Sequence, residues 1–299
     1  MEWSYRGTLV DHCMRHPSIQ AILAIFCLGL VPLHAADREA PVRVQGVSAV
    51  SRVFKAAVPV FHEMGIEIKV GEECGNTQAI TALGNGEIDI ALLGRTLTAE
   101  DQANYPDKTF ELTKIATQTL VIMIPRTVWE SGVHALKREQ VIELYEGRID
   151  SWKQFGGEER SARFFEPAHG QGVWEIFVTW LYGDVRKAPS VRWDVVPNGA
   201  EAQNAVEFHS GGAAVAAVRW ADRREVFPLA IIDDSGTAVE ATAANVAAGK
   251  YPISRPAYVA VGNRPAGNRR KVIEYLLSEK GQALVAGSDL LPVAPAPKP

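Results

Sequence analysis

Small polar residues stand where predicted helices begin, and their chemistry is that of an anion site. Ser48 follows a short strand, Asn76 and Thr77 follow the next strand, and Gly170-Gln171-Gly172-Val173 precedes a later helix. The first N–H groups of a helix have no partner inside the helix, and the helix dipole places partial positive charge there. A phosphate-like anion that leaves water needs many such aligned donors. These turns therefore predict an anion-binding crevice.

The stretch from Val42 to Thr98 supplies the elements that place the first turns. Its hydrophobic periodicity predicts strands over Val42–Gln45, Ile66–Val70 and Ile88–Leu93, with helices from Ser48 to about Met64 and over Gln78–Asn85. A β-α-β-α-β unit forms a parallel sheet whose carboxyl strand ends lie at one edge. Ser48 or Ser51 is predicted to cap the first helix, and Gly75-Asn76-Thr77 the second.

The same order of strand, glycine loop and helix occurs again in the second half of the chain. Ala162–Phe165 predicts a strand, and Val173–Tyr182 predicts an amphipathic helix after the glycine loop. Between the two halves, Lys114–Pro125 is an apolar, β-rich run long enough to cross from one lobe to another. We therefore expect the glycine loop to face the same crevice from a second lobe.

Composition limits the classes of partner. The 299 residues are 47% hydrophobic and 22% charged, which is ordinary for a globular chain with two cores. The formal net charge is −4 and the pI is about 6.0, so no overall attraction to nucleic acid or to an anionic membrane is expected. Any anion site must therefore depend on local groups.

The N-terminus has the layout of a secretory signal peptide. A short basic start at Met14-Arg15-His16 precedes an apolar run over Ile19–Val31, and small residues follow up to Ala36. We predict cleavage after Ala35 or Ala36, a periplasmic or secreted protein and no membrane span after cleavage; an uncleaved anchor is the alternative. Met1 and Met14 are both candidate starts, and the Pro-rich residues 294–299 are predicted to be disordered.

Several motifs together resemble the periplasmic phosphate-binding protein family, the substrate-binding components of phosphate ABC importers. They cover most of the chain after the signal peptide. The motifs are Gly46-x-Ser48-x-Val50, Gly75-Asn76-Thr77, Gly86-Glu87-Ile88-Asp89-Ile90-Ala91, Gly94-Arg95-x-Leu97-Thr98, Tyr251-Pro252-Ile253-x-Arg255-Pro256 and Ser278-x-x-Gly281-Gln282.

The resemblance implies an α/β fold of the two-lobed type II periplasmic binding protein class. Each lobe would be a mostly parallel sheet flanked by helices, and two crossover strands would form a hinge. Lobe one would comprise residues 40–122 and 226–293, and lobe two residues 123–225. The implied function is to bind phosphate or a related small oxyanion between the lobes, as a monomer, for the membrane component of an ABC importer.

The resemblance also implies a ligand site, although this sequence keeps only part of the family's donors. The implied ligand-binding residues are Ser48, Ala49, Asn76, Thr77, Arg95, Gly170, Gln171, Gly172 and Val173. A hydroxyl or guanidinium of the family pattern is missing at Val47, Ala49, Gly94, Pro167, Gln171 and Val173. The carboxylate of Glu166 lies beside the missing arginine and would repel phosphate if it faced the site.

Each polar candidate has a structural alternative. Ser48, Asn76 and Thr77 are equally suited to capping helices, and Arg95 to an ion pair with Asp89 or Glu100. An apolar pocket would favour a different function, namely a secreted ligand-sensing or protein-interaction module that has lost phosphate specificity.

An enzymatic function is not expected. The sequence has no G-x-S-x-G, H-E-x-x-H, C-x-x-C or P-loop motif. After the predicted cleavage the histidines are His62, His134, His169 and His209, and none has metal-ligand spacing. We therefore predict no catalytic residues, no metal and no cofactor.

Overall fold

The structure is a computed structural model that describes residues 39–293. The predicted signal peptide over residues 1–36 and the predicted tail over residues 294–299 lie outside the described residues. In the described part, helices and strands alternate along the chain, so the predicted α/β class is confirmed.

The first five elements form the predicted β-α-β-α-β unit. Their bounds are β1 Val42–Gly46, α1 Ser48–Glu63, β2 Ile68–Glu73, α2 Asn76–Asn85 and β3 Ile90–Leu93. Strand β1 pairs in parallel with both β2 and β3, as predicted. Strand β2 begins two residues later than predicted, because Ile66 packs into the core from the turn that follows α1.

The middle of the chain crosses to a second group of elements. The bounds are α3 Ala99–Ala103, β4 Phe110–Pro125, α4 Arg126–Glu130, β5 Ala135–Lys137, α5 Arg138–Tyr145, β6 Arg163–Pro167, α6 Gly172–Tyr182, β7 Asp194–Val196, α7 Gly199–Phe208 and β8 Gly212–Ala217. Short 3₁₀ helices cover Trp152–Phe155, Val185–Lys187 and Val218–Trp220.

The last elements complete both groups. Their bounds are β9 Val226–Pro228, β10 Ala230–Ile232, β11 Ala238–Val239, α8 Ala243–Ala247, β12 Ser254–Gly262, α9 Gly267–Leu277, α10 Glu279–Ala286 and β13 Leu291–Pro292. The short strands β5, β7, β9, β10 and β11 have two or three residues each, too few for a periodic signal in the sequence.

The main sheet has ten strands: eight follow the path β2-β1-β3-β12-β4-β8-β6-β7, and β9 and β13 each pair with β4 outside this path. Strand β4 pairs with β12 up to Thr119 and with β8 from Leu120 onward, and both pairings are antiparallel. Strands β6, β7 and β8 pair in parallel. The sheet is therefore mixed, because the crossing strands run against the parallel strands on either side.

Buried side chains form two large cores along this sheet. The first core surrounds α1 and β3 and includes Phe54, Phe61 and Leu276. The second core surrounds β4, β6 and α6 and includes Trp152 and Phe177. Buried residues from Val226 to Ile253 belong to the second core, so the packing favours a return to the first core near Ser254. The lobe boundaries given above stay predictions.

The Ser278-x-x-Gly281-Gln282 motif joins α9, α10 and β4. Ser278 caps α10 by accepting a hydrogen bond from the N–H of Gly281. A methyl group on Gly281 would lie 2.0 Å from the carbonyl oxygen of Tyr275, so only glycine fits there. Gln282, 5% exposed, donates to the carbonyls of Ile115 and Leu276 and accepts from the N–H of Val293.

We predict that Gln282→Leu lowers the free energy of unfolding by about 2–4 kcal/mol, because three buried backbone groups lose their partner. Urea unfolding followed by circular dichroism measures the loss. Gln154→Leu, at an exposed position, is the matched control and should change stability by no more than about 0.5 kcal/mol. Equal losses in the two variants would contradict this role for Gln282.

Candidate functional site

At three helices that start at carboxyl ends of strands, the N-cap residue makes no side-chain cap, although the side chain of Gln78 accepts a hydrogen bond from the N–H of Gly75 at the start of α2. The N-cap residues of α1, α2 and α6 are Val47, Gly75 and Gln171, and none of the three makes a side-chain cap within residues 39–293. The prediction that Ser48 or Ser51 caps α1 is wrong, because Val47 takes that position. These uncapped helix starts can donate N–H groups to an anion.

The second turn is tied to the end of β3. The side-chain oxygen of Asn76 accepts a hydrogen bond of 2.7 Å from the N–H of Gly94, and the hydroxyl of Thr77 accepts one of 3.4 Å from Arg95. The structure therefore brings Asn76, Thr77, Gly94 and Arg95 together. These contacts hold the turn and strand end in place.

Arg95 makes an ion pair with Asp101. Its two terminal nitrogens lie 2.5 Å and 3.2 Å from the carboxylate oxygens of Asp101, which is 6% exposed. The hydrogen bond from Arg95 holds the pKa of Asp101 at about 2. The ion pair of Arg95 with Asp89 or Glu100 that the sequence suggested does not form. Asp89 instead pairs with Arg43 at 3.0 Å. The contacts of Arg95 thus match its structural alternative.

The glycine loop borders a pocket that reaches from the first group of elements to the second. Gln171 and Val173 line it, together with Arg52 of α1, Gln118 of β4, Asn198 before α7, and Trp220. Gln171 also donates from its amide to the carbonyl of Pro197 at 3.3 Å. Ser48, Ala49, Asn76, Thr77 and Arg95 are not among the lining residues.

Arg255 lies beside this pocket and was not assigned to the site from the sequence. It is the cross-strand partner of Gln118 in the β4–β12 pair, and its Nε donates to the side-chain oxygen of Gln118 at 3.1 Å. Nη1 lies 3.5 Å from Glu175 of α6. Burial lowers the pKa of Arg255, while Glu175 opposes this change. The available signal was Arg255 as the charged residue of the Tyr251-Pro252-Ile253-x-Arg255-Pro256 motif.

Glu166 is satisfied by its own neighbours. It is 2% exposed and accepts hydrogen bonds from the hydroxyl of Tyr145 and from Nε1 of Trp174, and Nε2 of His169 lies 2.9 Å away. Burial and, secondly, the bond to Glu166 raise the pKa of Tyr145 well above its ordinary value. The carboxylate that the sequence placed near the anion is therefore held by other groups.

Residues 39–293 contain no group of three or more His, Cys, Asp or Glu side chains arranged to hold a metal ion. In the same range, every helix is too short or too polar to cross a bilayer.

Comparison with known proteins places this architecture in a family. The family described as the PBP superfamily domain matches residues 32–280. The chain belongs to the PBP superfamily. A crystal structure of an ABC-type phosphate transport receptor from Vibrio cholerae aligns with a TM-score of 0.67 and 22% identity, covering 84% of this chain and 99% of that one. The predicted type II periplasmic binding protein fold is confirmed.

Two curated relatives of this PBP-superfamily chain carry the name phosphate-binding protein PstS. The one from Staphylococcus saprophyticus is 20% identical over 67% of this chain, and the match spans 63% of that protein's length. The one from Bacillus subtilis is 21% identical over 84% of this chain and 80% of its own length.

We predict that Asp101→Asn removes an acid-dependent part of the stability of this PBP-superfamily chain. The native pKa of Asp101, about 2, lies below its ordinary value. Its ionised form therefore stabilises the fold at neutral pH, and this contribution is lost as the pH falls through about 4 toward 2. Urea unfolding at several pH values should show that the wild type loses about 2 kcal/mol more than the variant over this range.

The exposed Asp150→Asn is the matched control. It should retain the wild-type dependence of stability on pH. If Asp101→Asn retained that dependence as well, the Arg95–Asp101 pair would not be a stabilising contact.

Proposed function

We propose that this chain is a solute receptor that binds phosphate or a related small oxyanion beside the start of α6. It would act as a monomer outside the cytoplasm and deliver the anion to the membrane component of an ABC importer. The protein would bind and release its ligand without chemical conversion.

One observation carries the proposal: α6 begins without a capping side chain at the edge of a pocket bounded by both groups of elements. Gly172 and Val173 are the first residues of this eleven-residue helix. The amides of Gln118, Gln171 and Asn198 lie around the same pocket. N–H groups and amides are donors for an oxyanion, and their fixed positions reduce the cost of taking it from water.

The relatives support the choice of ligand class. Two are named phosphate-binding proteins, and the structural neighbour from Vibrio cholerae is described as a phosphate transport receptor. Because identity is only 20–22%, the ligand and the importer are carried over to this chain as proposals.

The predicted site residues divide into three groups with different proposed roles. Gly170, Gln171, Gly172 and Val173 form the loop and helix start that would contact the anion. Asn76 and Thr77 would hold Gly94 and Arg95 in place, because their polar atoms already bond to these residues. Ser48 and Ala49 would offer their N–H groups at the start of α1.

A second candidate function follows from the apolar part of the pocket. Pro167, Val173, Val196 and Trp220 are among its lining residues. Apolar lining suits a ligand with hydrocarbon surface better than inorganic phosphate. The chain would then be a secreted sensing or interaction module that has changed its ligand.

Calorimetric titration with sodium phosphate at low ionic strength separates the two candidates. We expect one-to-one binding that weakens as potassium chloride is added, since salt screens a charged ligand. Protein without bound ligand is obtained by partial unfolding and dialysis. Neither binding heat nor a rise in melting temperature with phosphate or sulfate would overturn the oxyanion proposal and leave the second candidate.

Restoring the missing hydroxyls should strengthen phosphate binding. We predict that the double variant Gln171→Ser and Val173→Thr binds phosphate roughly 10-fold more tightly, because the threonine adds a hydroxyl donor at the helix start and the serine hydroxyl replaces an amide that already donates to the carbonyl of Pro197. The same titration measures the change. Val195→Thr, on the exposed edge strand β7, is the control and should leave the affinity unchanged. A double variant that binds no more tightly would exclude this end of α6 as the contact.

A further inference from the structure

We infer that Arg255 is the residue that holds the charge of the bound anion, in place of the arginine missing at Pro167. The inference rests on the proposed function and adds a ligand contact that the motif resemblance did not assign. Arg255 is on β12, so the charge would come from the strand that connects the two cores and not from the glycine loop.

The guanidinium lies between the ends of two elements that face each other. A methyl group on Gly94, just after β3, would be 3.3 Å from Nε of Arg255, and one on Gly172, the first residue of α6, would be 2.5 Å from Nη2. Both positions are glycine, which leaves the space to the arginine. The fork of Arg255 is thus held within reach of an anion at the start of α6.

Gly94, where the family resemblance implies a serine, leaves room beside this guanidinium. A serine side chain would have its Cβ within 3.3–3.5 Å of three atoms of Arg255. A serine side chain would therefore be in close contact with the guanidinium. In this chain the guanidinium has that side free, and a guanidinium can form two parallel charge-assisted hydrogen bonds to one oxyanion.

The charge of Arg255 is poorly balanced by its neighbours. Its side chain is 18% exposed, one described acceptor is the neutral amide of Gln118, and the other is Glu175 at the long distance of 3.5 Å. The uncapped start of α6 adds partial positive charge on the same side. By contrast, Arg95 meets its carboxylate at 2.5 Å. An anion between Arg255 and α6 would neutralise both positive groups.

Glu175 then acts as a weak competitor of the ligand. Its carboxylate is 48% exposed and reaches the guanidinium only at 3.5 Å, so a bound oxyanion could displace it at low cost. Removing its charge should help binding, whereas removing the charge of Arg255 should harm it. These opposite changes in affinity distinguish a ligand contact from a purely structural ion pair, in which both residues would affect only stability.

The test is calorimetric titration of the wild type and four variants with inorganic phosphate, with melting temperatures measured in parallel. We expect Arg255→Gln to weaken binding roughly 10- to 100-fold. Arg255→Lys should lose less, because it keeps the charge but not the fork. Glu175→Gln should bind several-fold more tightly. Arg264→Gln, an exposed arginine just beyond β12, is the control and should stay within about twofold.

The outcomes test the role of Arg255 separately from the proposed function. If the wild type binds phosphate and Arg255→Gln binds equally well, the role of Arg255 is overturned and the proposed function stands. If the wild type binds neither phosphate nor sulfate, both are overturned. If Arg255→Gln does not fold, Arg255→Lys and Glu175→Gln decide: unchanged affinity in both overturns the inference, and opposite shifts support it.

Discussion

The antiparallel pairing of β4 with β12 is the constraint on which the rest of the structure depends. The register runs from Ser254 opposite Thr119 to Gly262 opposite Phe110. Beyond it, β4 continues into the second core, where the hydroxyl of Tyr251 donates to the carbonyl of Leu120. Both cores are thus attached to one two-stranded ribbon. A change in this register would move every side chain of β12 relative to the strands on both sides.

The candidate site is a consequence of the same pairing. Because Arg255 and Gln118 are opposite each other, their side chains meet beside Gly94 and the start of α6. In the site we propose, backbone donors come from the helix start, and the charge comes from the strand pair. Arg95, which the motif resemblance assigns to the ligand, is instead bound to Asp101. The site we propose is therefore built differently from the pattern that this sequence resembles.

Local patterns were sufficient to predict the longer elements of the first half of the chain, but neither the shortest strands nor the long-range contacts. The β-α-β-α-β unit and the start of α6 at the glycine loop follow from periodicity and glycine positions within a few residues. Arg255 and Gln118 are 137 positions apart, so only the strand register shows that they meet. The predicted partner of Arg95 was wrong for a simpler reason. The capping bonds between Thr98 and Asp101 fix the carboxylate of Asp101 in place, and proximity in the sequence does not reveal this.

The measurement that tests this account most directly is a crystal structure of the protein grown with phosphate. The account predicts tetrahedral density between the Arg255 guanidinium and the N–H groups of Gly172 and Val173, with Glu175 turned away. Density centred on Thr77 and Arg95, with the Arg95–Asp101 pair broken, would contradict it. The absence of phosphate density beside Arg255, at phosphate concentrations that saturate the protein in solution, would also contradict it.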